Sequence, residues 1–186
     1  MFTTPDGAGT TPAPVPAALT LGRSGPPGTV SWHAPLALRG RLGDSAGAGI
    51  PGAAVLLRCP GLQAAANTDA GGGDALVVHP VASGSCQATS EGLQSAPLRV
   101  AVTWSSRVTA LRPAGVAGRV VPAHAGVGVL VIEGSRVLGR ARTDGAGRWG
   151  ITLRVPLGRG RHRLTVVVTG SRGLGTARTV AAFRVR

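Results

Sequence analysis

A chain of 186 residues with 30 Gly and 14 Pro, whose apolar runs are short and rich in Val, has room for one ordinary domain or two small ones made of strands. Its pattern excludes long amphipathic helices, and no run of about 18 apolar residues is present to form a membrane-spanning helix. The formal charge of +13 is carried by arginine alone, since lysine is absent.

Residues 1–16 (MFTTPDGAGTTPAPVP) lack the basic start and apolar stretch of a secretion signal and read as a disordered Thr/Pro/Ala-rich stalk. Either an export signal lies upstream of it or the chain is a piece of something longer, with a cytoplasmic protein as the plainer reading. Residues 17–103 read as a first β unit. Its strands are expected at 17–22, at 29–42 with a break at Pro35, at 53–59, 63–67, 75–79 and 84–90, and at 97–103. The sequence TDAGGG (68–73) marks a tight turn between two of them. Residues 104–106 form a short linker. Residues 107–186 then read as a second, basic unit with strands at 108–112, 116–121, 127–132, 137–142, 149–155, 162–169 and 176–185.

Within the second unit the segment RTDGAGRWGITLRV (142–155) carries the strongest signal. Trp149, Ile151, Leu153 and Val155 fall on one face, with Arg148, Gly150, Thr152 and Arg154 on the other, the period of two of a half-buried strand. The order of landmarks repeats at a nearly constant spacing: GRL at Gly40 and GRV at Gly118, Asp69 and Asp144, Gly84 and Gly160. Seven short strands in each of two copies predict an all-β chain of two tandem Ig-like β-sandwich domains joined by little slack.

Charge is divided as unevenly as the strands are evenly shared. Residues 1–106 hold five arginines and five acids, whereas residues 107–186 hold fifteen arginines against Glu133 and Asp144. The second half is therefore the candidate for meeting a polyanion. Strand alternation turns Arg148, Arg154, Arg161, Arg163, Arg178, Arg184 and Arg186 outward, where guanidinium forks grip phosphate or carboxylate groups bidentately. Charged outer faces also keep a β protein soluble and protect its edges, and an arginine bias can originate in genome composition.

The succession of an opening strand, GR[LV], a Gly-Ala-Val strand (Gly52-Ala53-Ala54-Val55; Ala125-Gly126-Val127-Gly128-Val129), TD-x-x-G and a closing alternating strand resembles bacterial Ig-like repeats. These occur in tandem in surface and secreted proteins, especially of actinobacteria. The resemblance covers residues 17–186 and departs from the pattern where Gly72-Gly73-Asp74 replaces the basic-aromatic exit Arg148-Trp149. It implies an extracellular or cell-surface spacer, adhesion or carbohydrate-proximal module, and it supplies no catalytic residues. Carboxypeptidase-regulatory-like and transthyretin-like sandwiches use a similar hairpin.

In an exported sandwich of this kind Cys59 and Cys86, both on apolar strand faces, would form a disulfide joining the two sheets; two buried free thiols are the other reading. Asp69 and Asp144 suit turn chemistry better than calcium, because the loops lack the alternating oxygen ligands that calcium requires. His33, His79, His124 and His162 are far apart, and the register of His162 with Leu164, Val166 and Val168 places it in the core. The sequence shows no nucleophile elbow, phosphate-binding loop or zinc-protease motif, so no enzyme, cofactor or metal is expected. The partner it suggests is an acidic polysaccharide or another polyanion of the cell envelope. An accessory carbohydrate-binding module, with Trp32 and Trp104 as its exposed aromatics, is the alternative. A nucleic-acid binder is the weaker one, since the chain has no Tyr, two Phe and three Trp for stacking.

Overall fold

The computed structural model describes residues 13–186, so residues 1–12 of the expected stalk lie outside the described part, and Pro16 already opens a strand. The chain folds as two tandem Ig-like β-sandwiches, and no helix occurs among the described residues. In the first unit β1 (Pro16–Arg23), β3 (Leu36–Asp44) and β6 (Gly73–Val78) form one sheet in the order β1-β3-β6. The opposing sheet runs β5 (Leu62–Asn67), β4 (Ala54–Cys59), β7 (Gly84–Ser90), β8 (Leu93–Gln94), with β9 (Leu98–Val100) also paired to β7. A small parallel pair joins β2 (Val30–Ser31) to β10 (Val102–Thr103).

The second unit repeats the plan. Strands β11 (Ser105–Arg112), β12 (Gly115–Val121) and β15 (Arg148–Thr152) face β14 (Arg136–Arg142), β13 (Gly128–Glu133), β16 (Gly160–Val168) and β17 (Ala177–Val185), each set in the order given. Alternation selects the faces: Leu164, Val166 and Val168 of β16 are fully buried, while Arg161 and Arg163 are exposed. One expectation fails in this unit. Strand β15 stops at Thr152 and Pro156 follows, so Val155 turns outward at 59% exposure and the core is filled instead by Leu153 and Leu157. Their amides are tied to the carbonyls of Ala114 and Pro113.

The residues read as a linker are built into the fold. Trp104 is buried, its ring edge-on to His124 at 5.9 Å, and Ser105 and Ser106 open β11. The β16–β17 turn of the second unit is bonded to the first unit through Ser83 N–H to the Gly173 carbonyl (2.8 Å) and Gly175 N–H to the Val102 carbonyl (2.7 Å). One cluster of buried side chains runs through this junction from Leu36 and Val102 to Val166 and Trp149.

The units differ at one level of their cores. In the second, Trp149 lies opposite Gly118, and a Cβ on Gly118 would stand 2.5 Å from the indole. The matching pair in the first unit is Gly40 and Asp74. Asp74 points inward in step with Leu76 and Val78 and is buried, and its Oδ1 has no hydrogen-bond partner. There the first unit's core breaks in two, with Leu36 and Leu38 on one side and Leu19, Leu42, Ile50, Val55 and Ala88 on the other. Burial pushes the Asp74 carboxyl above its ordinary value, against the backbone amides of Asp74 and Gly40.

Cys59 and Cys86 form a disulfide, which corrects the expectation of a link between sheets. Strands β4 and β7 are antiparallel neighbours in one sheet, and their register places the two cysteines directly across from each other with Cα atoms 4.2 Å apart. The bridge closes a separation of 27 residues, and replacing both cysteines by Ser lowers stability by about 3 kcal/mol in urea unfolding. An unchanged midpoint would show that the ladder alone holds β4 to β7. Because the folded pKa of Asp74 is raised, its contribution is favourable below pH 3.8 and lost as the pH rises through the raised value. Asp74→Asn therefore stabilises the protein by about 1 kcal/mol at neutral pH and by much less at pH 3, measured by thermal melts at both values.

Candidate polyanion-binding face

Both tight turns are fixed by the same pair of side chains. The Asp69 carboxylate accepts from the amides of Gly71 and Gly73 at 2.8 Å, and that of Asp144 accepts from Ala146 (2.9 Å) and Arg148 (2.8 Å). Gly72 and Gly147 take positive φ, 75° and 73°, a conformation open to glycine at no steric cost. The preceding threonines bridge to the next loop. Thr68 donates to the Ile50 carbonyl and accepts from Ala53 N–H; Thr143 donates to the His124 carbonyl and accepts from Val127 N–H. Arg148 thus leaves its turn in a fixed orientation.

All seven arginines read as outward are exposed, yet the fold does not gather them into one cluster. Arg161 and Arg184 are directly paired across β16 and β17, with Arg163 two residues further on. Arg178 stands near the other end of that ladder, beyond an apolar stretch in which Val137 and Val180 are 46% and 50% exposed. Arg154 and Arg186 follow the ends of β15 and β17. Arg148 belongs to the opposite sheet.

There the register reveals what strand alternation alone did not. Arg107 of β11 pairs with Arg119 of β12, and Arg119 pairs with Arg148 of β15. Three exposed guanidinium groups therefore share one row across three adjacent strands. The sequence holds a trace of this, since Arg119 is the arginine of the GRV landmark, but only strand neighbours show that the three align. The Nε–H of Arg119 donates to the Ala146 carbonyl at 3.2 Å, which anchors the middle of the row.

Neither acid of the second unit forms an ion pair with these arginines. Asp144 is occupied by turn amides. Glu133 accepts from His162 Nδ1 at 2.6 Å, the single ion pair among the described residues. His162 is not sealed in the core as its register suggested; it lies at the rim, tilted against Phe183 at 5.6 Å, with Nε2 donating to the Gly158 carbonyl at 2.8 Å. Both ring nitrogens face groups that only accept, so this geometry requires the doubly protonated ring. The Glu133 carboxylate, followed by the Gly158 carbonyl, raises the His162 pKa above its ordinary 6.5.

Of the aromatic candidates, Trp104 is buried and cannot stack on a sugar, which removes half of that alternative. Trp32 is half-buried beside the exposed His33 and His79, with successive ring separations of 5.2 and 5.1 Å. Among the described residues no three His, Cys, Asp or Glu side chains are grouped to hold a metal ion.

No family model matches the chain, and no curated protein does. Among solved structures it is similar to invasin, a bacterial integrin-binding protein, at 16% identity and a TM-score of 0.48, over 87% of this chain and 38% of that one. It is also similar to a segment of two fibronectin type-III domains from chicken tenascin (13%, TM-score 0.48, 91% and 99%) and to the D0-D1 domain of intimin (12%, TM-score 0.35, 91% and 99%). The chain thus spans well under half the length of the invasin chain.

A raised histidine pKa makes the Glu133–His162 tie fully effective below pH 6.5 and progressively lost as the pH rises through the raised value. The melting temperature accordingly declines across that window, and His162→Gln flattens the decline. Melts at closely spaced pH values check this, and an identical pH profile for the variant would show that the tie contributes nothing.

Proposed function

We propose that this chain is a non-catalytic spacer or adhesion module of the cell surface or secretome whose second unit contacts acidic polymers of the envelope. One observation carries the reading: all fifteen arginines of the second unit are exposed, and none has an ion-pair partner among the described residues. A protein made soluble by charge alone is served as well by mixed signs. The disulfide supports an oxidising, exported setting. The bonded junction supports a spacer role, because two small sandwich domains joined through Gly173, Gly175 and buried Trp104 keep a fixed separation.

A nucleic-acid partner is favoured less. Trp149 is buried and Phe183 half-buried, so the basic faces lack the exposed aromatic platforms on which bases stack. The neutral-sugar alternative rests on Trp32 with its two histidine neighbours. Equilibrium binding of the full chain to an acidic polysaccharide, a neutral glucan and duplex DNA separates the three. The expected order places the acidic polysaccharide first, with affinity falling steeply as salt is added. Binding that ignores salt, or that favours the neutral glucan or DNA, would overturn the reading.

A further inference from the structure

We infer that the outward face of β11-β12-β15 is the seat of this binding and that it takes a linear polyuronate, a polysaccharide with one carboxylate on each sugar. The inference rests on the polyanion reading and adds to it a place and a ligand chemistry.

Like charges directly opposite on neighbouring strands repel. Arg107, Arg119 and Arg148 make two such pairs in succession, and none of the three has an ion-pair partner among the described residues. The middle guanidinium, that of Arg119, is tied to the Ala146 carbonyl, and the backbone of Arg148 is fixed by its amide on Asp144. A row of forks without ion-pair partners, aligned by the strand register and anchored at its middle, is suited to oxyanions supplied from outside.

The spacing and surroundings select the polymer. Adjacent strands lie about 4.8 Å apart, so the row sets three forks at short, regular intervals, which suits a polymer with a carboxylate on every sugar better than one with widely spaced charges. Alongside the row, the next paired positions on the same face are Ala110, Ala117 and Gly150, which leave a low floor for sugar rings. Arg112 and Thr152 flank the far side through their common partner Gly115. No aromatic side chain stands on this face, so a single-stranded nucleic acid gains charge contacts there without stacking. On the other sheet Arg161 pairs with Arg184, and Arg159, Arg184 and Arg186 gather around one pocket at the strand ends, but these forks do not form a row across three adjacent strands.

Binding of the full chain to immobilised polygalacturonate tests the idea, with two variants that each remove three charges. Arg107→Ser/Arg119→Ser/Arg148→Ser is expected to weaken binding about tenfold or more and to flatten its salt dependence, whereas Arg161→Ser/Arg163→Ser/Arg178→Ser changes it about twofold. Melts run in parallel confirm folding, since relief of repulsion leaves the first variant's melting temperature equal or higher at low salt. Arg119→Lys keeps the charge but not the fork and is expected to weaken binding as well. Equal losses in the two triple variants, or full retention in Arg119→Lys, would overturn the site while leaving the polyanion reading intact. Stronger binding to a polyphosphodiester than to polygalacturonate would overturn the ligand class, and no binding to any polyanion would overturn both readings.

Discussion

A threonine hydroxyl that bridges two loops and an aspartate carboxylate that accepts two amides one turn later form the constraint on which each sandwich depends. Thr68 and Asp69 in one unit, and Thr143 and Asp144 in the other, satisfy backbone groups that the tight turn would otherwise strand away from any ladder. The same residues set register in three directions. The glycine of each turn receives the amide of the second strand of its sheet, Leu42 to Gly72 and Val120 to Gly147, and the threonine backbone pairs with the start of the opposing sheet at Ala53 and Val127. A local motif of a few residues thereby fixes how the two sheets meet. This agreement, bond by bond, is firmer support for duplication than the low identity of the two halves.

With that frame shared, the copies diverge in how they are held. Cys59 closes β4 to β7 by a covalent bond. In the second unit Glu133 follows Val129 and Val131 as Cys59 follows Val55 and Leu57, and it reaches β16 through a charged hydrogen bond to His162. The core shows the reverse bias. Trp149 fills the space over Gly118, whereas Asp74 leaves a polar break over Gly40. The unit with the weaker core has the covalent staple, and the unit with the continuous core relies on packing and an ion pair, consistent with the limited burial available to small sandwiches.

Alternation made most of the strands legible from the sequence, all seven of the second unit among them, because period two reports directly on a face. It failed where the outcome depended on non-local partners. Val155 continued the pattern on paper, but β15 had already lost its neighbour. Trp104 read as exposed because its cover, Leu174 and His124, comes from residues far along the chain. Cys59 and Cys86 were both correctly placed on apolar faces; that they sit side by side in one sheet follows only from strand order. The candidate site was legible in the same partial way. Exposure of single arginines could be read, whereas the alignment of Arg107, Arg119 and Arg148 required the ladder.

The position of the charge bears on its purpose. Arginines scattered for solubility need no register, whereas Arg107, Arg119 and Arg148 stand in one row across three paired strands, at the end of the β12–β15 ladder beside the Asp144 turn, where like charges face one another. Neither acid of the unit forms an ion pair with the row: one accepts turn amides and the other ties two strands of the opposite sheet. A genome biased toward arginine codons accounts for the choice of arginine over lysine, and it applies equally to both units. It does not account for an even charge in the first and an excess in the second. What remains is a row of like charges that repel one another across paired strands, which is the feature the proposed contact with an external anion would relieve.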